Sequence, residues 1–138
     1  MESITVMQSL AGFSGFFTHF VAAAILVALF TAIYVWVTPY PEFRLIHEGN
    51  VAAAISFSGA LLGFVLPLVS AIVSSVSFLD MVVWALIALV VQILVFFLLK
   101  SIFSNLCSDI ADNRTAPAIL LGLLSLSGGL INAACILF

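Results

Sequence analysis

A chain of 138 residues that is 65% hydrophobic and only 7% charged cannot cover a soluble globule with polar surface. Three Lys/Arg against six Asp/Glu give a formal charge of −3, which excludes a basic nucleic-acid binder, and the apolar content excludes a disordered chain. An integral membrane protein, with the lipid bilayer as its partner and no nucleic acid, is the class that remains.

The charged residues Glu2, Glu42, Arg44, Glu48, Asp80, Lys100, Asp109, Asp112 and Arg114 bound four uncharged stretches, 3–41, 49–79, 81–99 and 115–138. Each is long enough for a helix to cross a hydrocarbon core of roughly 30 Å, which takes about 20 residues. The run 81–91 does not alternate polar and apolar residues, so it does not read as a membrane strand. A helix satisfies its own backbone without water. The expectation is an all-α integral membrane protein: a four-helix transmembrane bundle in a single domain, residues 1–138, with spans near 11–37, 50–76, 81–99 and 115–137.

The first span has no Lys or Arg before Arg44, and its apolar run is too long for a signal-peptide core, so it is expected to stay in the mature protein. Gly12, Gly15, His19 and Ala22 or Ala23 share one of its faces. Tyr34, Trp36 and Tyr40 read as interfacial aromatics, and Pro39 and Pro41 end the helix. The second span opens on Asn50 as its cap. It carries a stripe of small residues, Ala52, Ser56, Gly59, Gly63, Pro67, Ser70, Ser74 and Ser77, at helical spacing. Pro67 predicts a kink. The third span is expected to start at an Asp80 cap and carries Ala85, Ala88 and Gln92; the Gln92 amide falls near the bilayer centre and must face protein. The fourth is expected to be capped by Asn113 or Thr115, has Pro117 in its first turn, and carries Ala118, Gly122, Ser125, Gly129 and Asn132.

In lipid, small residues mark the faces where helices approach closely. Ala52, Ser56, Gly59, Gly63, Pro67, Ser70, Gly122, Ser125 and Gly129 are therefore the expected packing or assembly face. The packing of one chain's own helices is the favoured role. His19, Gln92 and Asn132 are the candidate intramembrane polar residues. No metal or cofactor is expected. His19 and His47 fall on opposite sides of the membrane and cannot share one iron, and no Cys/His cluster has zinc spacing. No hydrolase or nucleotide motif is present and no acid sits mid-span, so no catalytic residue and no enzyme activity is expected. Cys107 and Cys135 lie at opposite ends of the fourth span, too far apart for a disulfide.

Arg44 lies in loop 38–49, and Lys100 and Arg114 lie in loop 100–114. The positive-inside rule puts both loops in the cytoplasm, as docking surfaces for a membrane or cytoplasmic protein partner, and both termini in the periplasm. A shift of 64 pairs Glu48 with Asp112, Ala52 with Ala116, Ala54 with Ala118 and Ile55 with Ile119. Two tandem two-helix repeats, 11–76 and 81–137, would be related by a pseudo-twofold axis along the membrane normal.

The segment Thr38-Pro39-Tyr40-Pro41-Glu42-Phe43-Arg44-Leu45-Ile46 runs into Asn50 through Gly63 and Pro67-Leu68-Val69-Ser70-Ala71. Together with Gly128-Gly129-Leu130-Ile131-Asn132-Ala133-Ala134-Cys135, it resembles the YjfL-like bacterial inner-membrane family, over nearly the whole chain. The resemblance implies a four-span inner-membrane protein built from a duplicated two-helix unit. It supplies no activity and no site residues, only an association with envelope maintenance or stress. The leading expectation is a non-enzymatic protein that acts through helix-mediated self-assembly, as a homo-oligomer, or as a membrane partner subunit. The alternative is a channel or small-solute transporter lined by the Ser/Gly face of the second span with Gln92 and Asn132.

Overall fold

The computed structural model describes residues 2–138 and is all helical over them. Four long helices, α1 (Glu2–Val37), α3 (Val51–Ser74), α4 (Phe78–Ile102) and α6 (Thr115–Ile136), are each long and apolar enough to cross a membrane. Two short helices, α2 (Glu42–His47) and α5 (Leu106–Ala111), turn the chain between them.

The helices α3 and α6 meet backbone to backbone. A methyl group on Gly59 would lie 2.3 Å from the Gly122 Cα, and one on Gly129 would lie 2.1 Å from the Gly63 carbonyl oxygen. Both contacts advance in the same direction along the chain, so the two helices run parallel, backbone against backbone. Pro67 has no N–H to give the Gly63 carbonyl its helical bond, and Gly129 lies against that same carbonyl. Gln92, 2% exposed, enters this seam from α4. Its Nε2 donates to Ala60 O at 3.2 Å and to Ser125 O at 3.1 Å, tying three helices with one side chain.

The first helix joins differently. Only its C-terminal half is held, by Leu26, Phe30 and Tyr34 at successive helical turns. The Phe30 ring stacks on Phe64 at 4.7 Å, and the Tyr34 ring meets Phe96 edge-on at 5.6 Å. Residues 3–18 are exposed throughout. A helix of 36 residues is about 54 Å long, well beyond the hydrocarbon core.

The corner after α2 recurs after α5. A spacing of 64 residues relates Glu42 to Leu106, His47 to Ala111 and Val51 to Thr115 at the helix ends. It also relates Gly49 to Asn113, at φ +88° and +59°. The backbone bond from Asn50 N to Leu45 O recurs as Arg114 N to Asp109 O. Side chains then cross between the two corners. Asn50 Oδ1 caps α3 by accepting from Ala53 N at 2.8 Å, while its Nδ2 donates to Ile110 O and Ala111 O. In return Ala52 N donates to Asn113 Oδ1 at 3.1 Å. Loops 38–49 and 100–114 therefore share one end of the bundle.

Several local expectations are corrected. The first helix is already formed at Glu2, ahead of the expected residue 11, because nothing in 2–10 breaks a helix. Ser77, and not Asp80, is the α4 N-cap: its Oγ accepts from Asp80 N, and Asp80 Oδ2 reaches back to Val76 N. Neither Asn113 nor Thr115 caps α6. Arg114 stands at that position without a side-chain capping bond, because the Asn113 amide is committed to α3. Trp36 is 85% exposed as an interfacial residue should be, but Tyr34 and Tyr40 are buried. Tyr34 shares the inward phase of Leu26 and Phe30, and the two prolines turn Tyr40 back under α2.

Two predictions follow from these contacts. Gly129→Ala should lower the melting temperature in detergent more than Gln92→Leu does. The first forces two backbones apart, at roughly 1–3 kcal/mol for overpacking; the second loses interhelical bonds worth about 0.6 kcal/mol each. Asn50→Ala, which removes a cap and two donors to the other corner, should cost about 2–3 kcal/mol in denaturant unfolding. Asn50→Asp keeps the cap but not the donors, and should not restore that loss.

Candidate functional site

The expected small-residue face lies inside the single chain. Ala52, Ser56, Gly63 and Pro67 of α3 are buried, as are Gly122, Ser125 and Gly129 of α6; Gly59 and Ser70 are half-buried. The face is filled by the opposing backbone and by Gln92. Backbones at this separation leave no bore between them.

The three intramembrane polar residues do not form one site. Gln92 is committed to the α3–α6 seam. Half-buried His19 bonds through Nδ1 to Gly15 O at 2.7 Å, and its ring meets Phe78 of α4 edge-on at 6.0 Å. The Asn132 Nδ2 is buried and has no hydrogen-bond partner among the described residues.

The structure brings together a different polar group, under α2. Glu42 is 0% exposed although it belongs to a surface loop in the sequence. The prolines at 39 and 41 and the single turn of α2 swing Glu42 inward, while Arg44 and Glu48 pair on the exposed side at 3.2 Å. Glu42 Oε1 accepts from the Thr38 hydroxyl. Glu42 Oε2 is buried without a hydrogen-bond partner among the described residues, and so are the hydroxyls of Tyr34 and Tyr40. These two phenols interact with each other and with the Glu42 carboxyl, and Tyr40 also faces Ser56. Cys107 of α5 approaches from the other corner.

Electrostatics at this cluster are set by lost solvent. Burial pushes the Glu42 carboxyl above its ordinary range, and the Thr38 hydroxyl and the Glu42 backbone N–H offset only part of that. Burial, and then the nearby carboxyl, push the Tyr40 phenol up as well. The Cys107 thiol is raised by burial and partly lowered again by Lys100. The arrangement can hold a proton or another positive charge on a carboxyl that has no basic partner among the described residues. The sequence carried one usable signal for it: an acid immediately behind the Pro-Tyr-Pro turn, where a chain reversal can aim it inward.

A carboxyl raised in the folded state binds its proton there more tightly than in the unfolded chain. Stability is then greatest below the ordinary carboxylate range and falls as pH rises through the raised value. Thermal unfolding across pH should show this fall in the wild type, and Glu42→Gln should flatten it.

Residues 7–136 match the family described as Domain of Unknown Function (DUF350). The chain is similar to the UPF0719 inner membrane protein YjfL of Escherichia coli strain K12, at 42% identity over 130 residues, covering 94% of this chain and 96% of that relative. The protein of the same name in Escherichia coli O157:H7 matches at the same 42% identity and coverage. No solved structure matches the chain. Matched along nearly its whole length, and with four helices that can cross a membrane, the chain belongs to the DUF350 family and is an inner-membrane protein.

Proposed function

We propose that this protein is a non-enzymatic membrane protein that works as a homo-oligomer, assembled through the N-terminal half of α1. One observation carries the reading. Gly12 and Gly15 have nothing within 4 Å of where a methyl group would stand, on a stretch of helix, residues 3–18, that is exposed throughout. The other glycines on the small-residue faces, in α3 and α6, are spent on contacts within the chain. In lipid the gain from association comes from close packing, and a helix with an open glycine face is suited to meet a second copy of itself. A groove of about 570 Å³ continues that face, lined by Gly12, Gly15, Phe16, His19, Phe20, Ala23 and Ile72. A His19 Nδ1–H given to Gly15 O leaves Nε2 as an acceptor.

The placement of the basic residues supports cytoplasmic loops 38–49 and 100–114, with both ends of the chain in the periplasm. Arg44, Lys100 and Arg114 belong to the one end where the two corners meet. The loops at that end remain the surface for a cytoplasmic partner.

Native mass spectrometry of gently extracted protein should give a single oligomer, and Gly15→Leu should dissociate it without lowering the melting temperature of the chain. Gly59→Leu should behave in the opposite way, unfolding the chain. An oligomer that persists in both Gly12→Leu and Gly15→Leu sinks the α1 interface. For orientation, Arg44→Cys in a chain with Cys107→Ser and Cys135→Ser should react with a membrane-impermeant thiol reagent only after the cells are opened. Labelling of intact cells reverses the topology.

A further inference from the structure

We propose that the buried cluster around Glu42 is a binding site for one small monovalent cation, of the chemical class of Na⁺. The site stands on three orphaned oxygens in one place. Glu42 Oε2, the Tyr34 hydroxyl and the Tyr40 hydroxyl are all buried and all lack a hydrogen-bond partner among the described residues. They belong to one cluster: Thr38 donates to the Tyr34 carbonyl through its N–H and to the Glu42 carboxyl through its hydroxyl, and the two phenols are near enough to interact with each other and with the carboxyl without being aligned as hydrogen bonds. An unmade bond on a buried polar atom costs about 1–3 kcal/mol, so three together in one cluster point to a missing partner.

Charge and donor type select the class. Glu42 has no Lys, Arg or His bonded to it, and the nearest ion pair, Arg44 with Glu48, is closed on itself at the surface. One carboxylate leaves one charge to neutralise. The surrounding donors are carboxylate and hydroxyl oxygens, from Thr38 and Ser56 as well as the two tyrosines, and hard oxygen ligands suit a hard cation. No group of three or more His, Cys, Asp or Glu suited to a metal ion exists among the described residues, which disfavours a divalent or transition metal. Below the raised Glu42 value a proton neutralises the carboxyl; above it, a water molecule satisfies the orphaned atoms but leaves the buried charge uncompensated.

The position gives the site a structural consequence. Thr38 and Tyr34 belong to the end of α1 and its exit, Glu42 to α2 and Ser56 to α3. A cation bound there would clamp the first corner between the two helices it joins.

The test is thermal unfolding of the full-length protein in detergent, at one fixed pH well above the ordinary carboxylate range, with NaCl titrated against choline chloride at equal ionic strength. The expected result is a melting temperature that rises by a few degrees with Na⁺ and saturates, shows no such rise with choline, and loses the effect in Glu42→Gln. Tyr40→Phe keeps the carboxylate and removes one oxygen; it should raise the half-saturating Na⁺ concentration several-fold, and it serves where Glu42→Gln does not fold. Equal curves in NaCl and choline chloride overturn the proposal. So does a Na⁺ effect that survives unchanged in Glu42→Gln, or a half-saturating concentration that is unaltered in Tyr40→Phe.

Discussion

The contact on which the rest of the molecule depends is the backbone-to-backbone approach of α3 and α6. Water does not drive helices together inside a membrane, so the bundle needs another source of cohesion, and close packing supplies it. Gly59 against Gly122 and Gly63 against Gly129 bring the two axes together. The approach sets what can enter beside it. Gln92 reaches carbonyls on both helices because those carbonyls have been brought within range of a single amide. The break that Pro67 imposes on the α3 hydrogen-bond ladder falls where Gly129 already covers the freed carbonyl. A defect that would be costly in lipid is thereby placed inside the one interface able to absorb it.

Around that axis the two outer helices differ in how firmly they are held. Residues of α4 are buried along its length, from Met81 to Leu99. The first helix is gripped in its second half, by Leu26 and by the aromatic contacts of Phe30 and Tyr34, while its residues 3–18 are exposed. This asymmetry separates the parts of the protein by role: a fixed parallel pair, a helix pinned to it by an amide, and a helix half of which is free for something outside the chain. The polar corner under α2 lies where the held half of α1 ends.

Much of this was legible in the sequence, for a physical reason. In a chain with so few charges, their positions mark where helices must stop, so four spans followed directly, and the glycine spacing marked the faces that pack. The Asn50 cap was readable because capping is local chemistry. What sequence reading missed depends on direction. It placed Tyr34 and Tyr40 at the membrane interface, where their residue types are usually found, and gave no direction for Glu42, because the phase of α1 and the turn through two prolines decide which way all three face. Asn113 was misread for a related reason. Its amide serves a helix more than sixty positions earlier in the chain, and no local pattern announces such a bond. The starting residue of α1 was missed because a polar first turn weakens the hydrophobic signal without weakening the helix.

The crossed asparagines bear on how the chain is made. Asn50 supplies donors to the second corner, and Asn113 supplies an acceptor to the first. Neither corner completes its own hydrogen bonding. During synthesis the first pair of spans enters the membrane while the Ala52 N–H still waits for a residue that the ribosome has not yet added. The first hairpin therefore inserts as an unfinished piece, with polar backbone open at the headgroup level where water can serve it for a time. Final closure must follow insertion of the second hairpin beside the first, in parallel register. A ribosome-bound intermediate stopped between the two hairpins would be a membrane-inserted chain without a native fold, exposed to the proteases that survey the bilayer.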